Sequence, residues 1–374
     1  MRLLDRYIAR QVFVSALYAV AVIIIILVLG NVFKEVLREL AKRPEVGLGF
    51  LFKFIALMIP ISLSLAIPFS FLTAVLLTFG RLSADSEFIA MRMAGLSMWR
   101  ICLPVAFVAI FFTGACAWVN LSVTPAAKTA MVGMKDSLFN RMTQGEPMLL
   151  FPDHRVMTDL PGHLIFAKKE DGILKGFQFI KMEDNLPQVI AIAREAKVRV
   201  ELDKENPELL LDMTDVTMMV KGDKGNFMDS TQPISMKSGV AGVSVNDLKS
   251  NGQDAREKPD YIPLRRLFQK ASDETLEPSL LAKYRTQLSM RFAFSVSCLT
   301  FGLIGVPLGI TAQRRESTAG FILSMIIAVT YNVMLTMVRN VQDREDLYPH
   351  LLVWVPNILF LALGILMFRN LSKK

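Results

Sequence analysis

Cysteine and histidine are scarce in this chain: three of each occur in 374 residues. Cys102, Cys116 and Cys298 lie far apart and each falls inside an apolar stretch, so there is neither a disulfide framework nor a zinc-type ligand spacing. His154, His163 and His350 are equally scattered. No Gly-rich phosphate loop ending in Lys-Ser or Lys-Thr is present, no His-Glu-x-x-His and no nucleophile elbow. The chain therefore reads as a non-enzyme without metal or cofactor. If ATP drives it, another chain must bind the ATP. No ionisable residue is expected deep inside the apolar runs, which argues against an ion-coupled transporter.

What the chain has in abundance is apolar surface. Hydrophobic residues make up 52% of the sequence, and the mean hydropathy is positive. That excludes a disordered chain and disfavours an ordinary soluble domain. The formal net charge of +8 does not mark a nucleic-acid partner. Its Lys and Arg sit at the ends of apolar runs, where they anchor helices to lipid head groups and set orientation.

Six runs are long enough to cross a bilayer at about 20 residues per helix: Val12–Phe33, Phe52–Phe79, Ile101–Leu121, Leu288–Thr311, Thr318–Val338 and Leu351–Phe368. The second contains Pro60 and Pro68, which predict kinks. Ahead of the first, Arg2, Arg6 and Arg10 recur every four residues and predict an amphipathic helix at the interface. Arg81, Arg92, Arg100, Arg314, Arg315 and Arg369 fall on the same side as these arginines. The other side carries Lys34, Arg38, Lys42, Arg339 and Arg344. The balance makes the first side cytoplasmic, with both termini there.

Between the third and fourth runs the pattern changes. Leu149–Phe151, Leu164–Ala167, Phe177–Met182, Gln188–Ala193, Lys197–Leu202, Leu209–Met213 and Thr217–Val220 are short, β-branched or alternating, and punctuated by Gly, Pro, Asn and Asp. They predict six to eight short strands in an antiparallel sandwich, barrel or jellyroll. Ser238 to Pro259 reads as a polar loop and Leu264 to Lys270 as a helix returning to the membrane. The expected organisation is an N-terminal membrane half over residues 1–123, an outer β-domain over 124–280 and a C-terminal membrane half over 281–374.

Three stretches attract functional readings. Gly80–Arg100 is polar enough to leave the membrane. Leu82, Ala84, Phe88 and Met91 recur at helical spacing, Ser83 or Asp85 offers a cap, and Gly95 with Ser97 offers a stop. This predicts a short surface helix over about 82–97, with Asp85, Glu87 and Arg92 open to a partner; it is either a lever for a separate motor or a plain connector. Lys34, Arg38 and Lys42 share one helical face. They and Arg339 either meet anionic lipid phosphates or simply anchor their helices. In the fourth run, Gly305 and Gly309 flank Pro307; close helix packing accounts for them, and Arg314 and Arg315 belong to a positive hairpin.

Taken in order, these stretches resemble the LptF/LptG permease family of the lipopolysaccharide export ABC transporter, over essentially the whole chain. Gly80-Arg81-Leu82, Ser86-Glu87, Met91 and Ala94-Gly95-Leu96-Ser97 are similar to the family's cytoplasmic coupling segment. Asn120 with Pro125, and Pro307-Leu308-Gly309 with Arg314-Arg315 and Gly320, resemble two further features. The resemblance implies a polytopic six-span protein with a periplasmic β-jellyroll between spans three and four. It implies pairing with a second permease, a paralogue or a second copy, on a cytoplasmic ABC ATPase dimer that Asp85, Glu87, Phe88, Met91, Arg92 and Gly95 would contact. Lipopolysaccharide, met by Lys34, Arg38, Lys42 and Arg339, and a periplasmic jellyroll bridge protein complete the implied partners. The alternatives are a permease of another ABC-type lipid or lipoprotein exporter and a membrane-anchored sensor.

Overall fold

The computed structural model describes residues 3–42, 48–145, 155–157, 163–170, 172–183, 186–201, 208–220, 233–244, 258–312 and 319–373. The helices are α1 (Leu3–Lys42), α2 (Leu48–Ala84), α3 (Glu87–Met93), α4 (Met98–Trp118), α5 (Thr124–Gly145), α6 (Leu264–Ala271), α7 (Pro278–Ala312), α8 (Ala319–Asn340), α9 (Pro349–Leu352) and α10 (Val355–Lys373). The strands are β1 (Arg155–Met157), β2 (His163–Glu170), β3 (Ile173–Glu183), β4 (Leu186–Glu201), β5 (Glu208–Val220) and β6 (Ile234–Ser244). Among the described residues, six helical stretches are long and apolar enough to cross a membrane: Leu3–Gly30, Leu51–Ala84, Met98–Met134, Pro278–Thr311, Gly320–Asn340 and Pro349–Leu371. The sheet lies in sequence between the third and the fourth.

The chain forms two compact units, one of residues 1–34, 51–130 and 258–374, the other of 35–50 and 131–257. In the first, span four is held by close approach. A methyl group added at Gly305 would lie 2.9 Å from Val75 Cγ1, and one at Gly309 would lie 3.0 Å from the Leu76 carbonyl oxygen. Only a missing side chain lets α7 come this near α2, the reading expected of a small-residue pair. Polar groups tie the other spans in. Tyr331 on α8 is fully buried and donates to Asn357 Oδ1 on α10 at 3.2 Å. The Asn357 amide donates to the Ala293 carbonyl on α7 at 2.7 Å. Pro60 and Pro68 both lie within α2, which continues through them.

The second unit holds a six-stranded antiparallel sheet in sequence order β1 to β6. A line of irregularities crosses it. Gly176 in β3 (φ +60) and Asp215 in β5 (φ 51) adopt left-handed backbone. Lys175 pairs with Glu195 and Phe177 with Ala193, while Glu195 pairs with Thr214 and Ala193 with Val216. Residues 176, 194 and 215 therefore line up across three strands. On β2 the register shifts between Phe166 and Lys168.

Burial changes parity at this line. Leu174 and Phe177, Ala193 and Ala196, and Met213 and Val216 are all buried, each pair three apart where a regular strand alternates by two. Aligned bulges of this kind bend strands, and both halves of each strand turn inward onto one core around Phe177, Ala193, Leu211 and Val216. The sheet is jellyroll-like for this reason. The fold is a polytopic α-helical membrane protein with that β-domain between its third and fourth spans.

Some local expectations change. The basic N-terminus is not a separate interfacial helix but the start of α1, which is continuous to Lys42. The segments Gln188–Ala193 and Lys197–Leu202, the latter as far as Glu201, fall within a single strand, β4, and Leu209–Met213 and Thr217–Val220 within β5, because the bend separates their patterns without ending the ladder; Leu202 lies outside the described residues. β6 takes in Ser238 to Ser244, read from sequence as loop. Its Gly and Ser lower its own strand preference, and pairing with β5 overrides it. Leu149–Phe151 lies outside the described residues.

Candidate coupling segment and polar cavity

The Gly80–Arg100 stretch does not fold as one helix. α2 runs through Arg81 to Ala84, and α3 covers only Glu87–Met93. Neither Ser83 nor Asp85 caps it: the N-cap is Ser86, in left-handed backbone with no side-chain cap bond. Ser83 instead donates to the Ile310 carbonyl at 3.1 Å, tying the end of α2 to α7. The expected stop is present. Gly95 (φ +81) ends α3 in a Schellman turn, with Leu96 N–H bonded to Met91 O and Gly95 N–H to Arg92 O. Ser97 then caps α4, its hydroxyl accepting from Arg100 N at 3.4 Å.

α3 is rooted on one side and bare on the other. Phe88 and Met91 are buried in a cluster with Ile8, Val12, Leu82 and Met98. The stripe Ile8, Val12 and Ala16 on α1 is completely buried, while Arg6 and Arg10 on its other face are exposed. Asp5, only 6% exposed, forms an ion pair with Arg100 at 2.8 Å. Tyr7 donates to Glu87 Oε2 at 3.3 Å. The Gln11 side-chain oxygen, with its amide turned to suit, accepts from the Arg81 guanidinium. The first turns of α1 thus grip the whole segment. Glu87 and Arg92 are half-buried, whereas Ile89 and Met93, one turn apart, are 50% and 84% exposed. This apolar pair was missed in the sequence. Its only trace is that Ile89 and Met93 sit off the Leu82–Phe88–Met91 stripe.

At the other end of the helical unit, a cavity of about 260 Å³ opens among spans two to five. Its walls include Ile61 and Leu65 on α2, Asn120 beside α4, Lys128 on α5, Gln287, Met290 and Arg291 on α7, and Asn332 and Arg339 on α8. A π-helical turn at Val119–Val123 joins α4 to α5 and shifts the side chains that follow, as such bulges do at functional sites. Arg291 is 5% exposed, and its Nη2 donates to the carbonyls of Pro259, Asp260 and Ile262 at 3.1, 3.2 and 2.9 Å. Lys128 Nζ lies 3.7 Å from Asp260 Oδ2 and 5.7 Å above the Tyr261 ring. Thr129 donates to the Tyr261 carbonyl at 3.1 Å. Arg339 Nε reaches Met290 Sδ at 3.4 Å. Segment 259–262 is therefore stapled to α5 and α7.

Of the basic residues singled out in sequence, Arg339 lines this cavity. The side chains of Lys34, Arg38 and Lys42 lie outside the described residues, as do Arg314 and Arg315. Arg291 and Lys128 were overlooked in the sequence; Arg291 stands three residues inside the start of the run Leu288–Thr311, near its end rather than deep within it. Among the described residues no group of three or more His, Cys, Asp or Glu side chains is placed to hold a metal.

Six helices long and apolar enough to cross a membrane among the described residues, with a folded sheet between the third and the fourth in sequence, define a multi-pass membrane protein. The family described as "Lipopolysaccharide export system permease LptF/LptG" matches residues 6–370, and the chain belongs to that family. It is similar to the lipopolysaccharide export system permease protein LptF of Escherichia coli (strain K12), at 22% identity over 382 residues, covering 97% of this chain and 93% of that one. The corresponding protein of Shigella flexneri is similar to the same extent. A permease of this family spans the inner membrane several times and is not itself catalytic.

Proposed function

We propose that the chain is one permease subunit of an ATP-driven lipopolysaccharide exporter, paired with a paralogue or with a second copy of itself on a dimeric cytoplasmic ABC ATPase. It takes lipopolysaccharide from the outer leaflet through a lateral opening at spans one and five. The β-domain receives the lipid and hands it to a periplasmic jellyroll bridge towards the outer membrane. Residues 1–123 and 281–374 are the membrane halves, 124–280 is periplasmic and both termini are cytoplasmic.

The observation that carries this reading is the two-sided α3. A lever moved by another protein needs a fixed root and a free contact surface. Phe88 and Met91 supply the root and Ile89 with Met93 the surface. The Asp5–Arg100 and Tyr7–Glu87 contacts link this lever to α1, the helix that also carries Lys34, Arg38 and Lys42. Those three residues and Arg339 hold the phosphates or sugars of the head group. Exposing acyl chains to water costs about 0.8 kcal/mol per methylene, which a sideways opening avoids. Among the described residues β6 pairs only with β5, and it exposes Ile234, Met236 and Val240. Its outer edge suits strand addition by the bridge.

The test is co-purification with the ATPase and measurement of hydrolysis, for wild type and Glu87→Lys. Wild-type assembly lost in the variant supports the reading. A wild type that captures no ATPase sinks it.

A further inference from the structure

A second concavity, of about 280 Å³, lies on the flank of the helical unit between α4, α7 and α10. Val105, Ala109, Gly302 and Val306 are buried at its floor. Leu103, Leu299 and Leu361 are exposed at its rim. A methyl group added at Gly302 would lie 3.3 Å from Ala109 Cβ, so α4 and α7 meet closely beneath the groove and the larger rim residues stand above a low floor. Among the described residues that line it, none is charged. One end is marked by Trp99 and Phe368, whose rings stand 5.0 Å apart. Trp99 is in the first turn of α4 and Phe368 near the end of α10. Arg100 and the exposed Arg369 follow them in the chain. The Asp5–Arg100 ion pair puts this end of the groove on the same side as the start of α1.

All three helices belong to stretches long and apolar enough to cross a membrane, so a groove in their flank faces hydrocarbon. It is too apolar to hold water, and left empty it would forfeit dispersion contacts along its whole lining. A volume of about 280 Å³ is small beside a helix about 10 Å across, but it suits a slender chain. We propose that the groove binds one acyl chain of an anionic phospholipid, whose phosphate sits at the Trp99–Arg369 end. Trp99 brings an amphipathic ring with an N–H donor to that end, where the membrane interface lies. Arg369 brings the cation that an anionic head group needs. Between Trp99 and Ala109 α4 rises about 15 Å, so the chain runs along the groove from the interface inwards. On the proposed orientation this lipid belongs to the cytoplasmic leaflet, the one rich in anionic lipids. It braces the end of α10 against the start of α4, immediately after the Gly95 turn that ends α3. The inference goes beyond export and holds whatever the transported substrate is.

The test is native mass spectrometry of the purified full chain in maltoside micelles, offered phosphatidylglycerol or phosphatidylcholine with identical acyl chains. Wild type should retain one phosphatidylglycerol and hold phosphatidylcholine roughly fivefold more weakly, the worth of one attraction between a basic residue and an anionic head group. Ala106→Phe puts a ring into the groove from an exposed position and should abolish retention. Ile110→Phe adds the same kind of bulk at another exposed position of α4 and should bind like wild type. Arg369→Gln should erase the preference for phosphatidylglycerol. Lipid-free unfolding temperatures of the three variants should stay at the wild-type value, which separates lost binding from lost fold. The proposal is overturned if Ala106→Phe retains as much lipid as wild type, if Ile110→Phe loses it equally, or if wild type holds both lipids alike. Displacement of the lipid when the chain assembles with a partner protein would also overturn it, because the groove would then be a protein contact.

Discussion

Asp5 and Arg100, 95 positions apart in the chain, meet at 2.8 Å, joining the first turn of α1 to the first turn of α4. The carboxylate is buried and the guanidinium about one-third exposed. With Ile8 and Val12 packed on Phe88 and Met91, the pair fixes α3 to the helix that enters the membrane first.

Arg100→Gln should destabilise the helical unit by about 1–2 kcal/mol, since a buried acceptor loses its charged partner while the partner's exposure moderates the loss. Thermal unfolding in micelles measures this. The double variant Asp5→Asn/Arg100→Gln should cost little more than Arg100→Gln alone, the mark of direct coupling. Strict additivity would mean that the two side chains act independently.

Met93→Glu should leave the fold within about 0.5 kcal/mol of wild type, because the side chain is 84% exposed and touches no core. On the lever reading it should nonetheless weaken ATPase capture at least about tenfold, as removal of an apolar interface anchor does. Tyr7→Phe removes only an exposed hydrogen bond and should be close to silent in stability. A pull-down with quantified ATPase activity reports both variants.

Gly309→Ala should destabilise by about 1–3 kcal/mol. Its new methyl would meet the Leu76 carbonyl oxygen and Phe79 Cβ, each at 3.0 Å, and neither is a flexible chain end. Gly114→Ala serves as the contrast, with nothing within 4 Å of the added carbon, and should be neutral or slightly stabilising. Equal effects at the two positions would remove the close-packing account of span four.

Glu170 in β2 is held down at about 2 by hydrogen bonds from Lys168 and then Lys175, reinforced by their charges. A carboxylate with a depressed folded pKa contributes stability above its unfolded pKa, near 4.5, and loses it as pH falls towards about 2. Acid unfolding of the β-domain, followed by circular dichroism, should therefore steepen within that window. Glu170→Gln should flatten this limb and leave neutral pH nearly unaffected. Added salt should shrink the difference, because the carboxylate and both lysines are accessible to solvent.

The sequence shows the spans clearly and the sheet only in fragments. Bilayer thickness imposes a length on apolar runs, so Phe52–Phe79 and Ile101–Leu121 announce α2 and α4 directly. The gaps between Ala193 and Lys197 and between Met213 and Thr217 are real, but they mark a bend. A period-two reading fails where buried residues come three apart, and no local signal separates a bulge from a strand end. β6 is invisible for a related reason: Gly239 and Ser238 enter a strand because β5 offers a ladder beside them. In the coupling segment Gly95 is readable as a stop, since the left-handed turn it makes favours glycine. The Ser86 turn that starts α3 uses no side-chain cap and leaves no such trace.

By itself, then, the sequence determined six membrane helices, a β-rich insertion after the third and a family, because these follow from run length, alternation and the order of short motifs. Tertiary structure alone decided which face of α3 is bare, that Asp5 answers Arg100, and that Arg291 turns its guanidinium onto the carbonyls of Pro259, Asp260 and Ile262. Each of those depends on groups about 30 to 95 residues apart in the chain coming into contact. Local periodicity carries no information about such meetings.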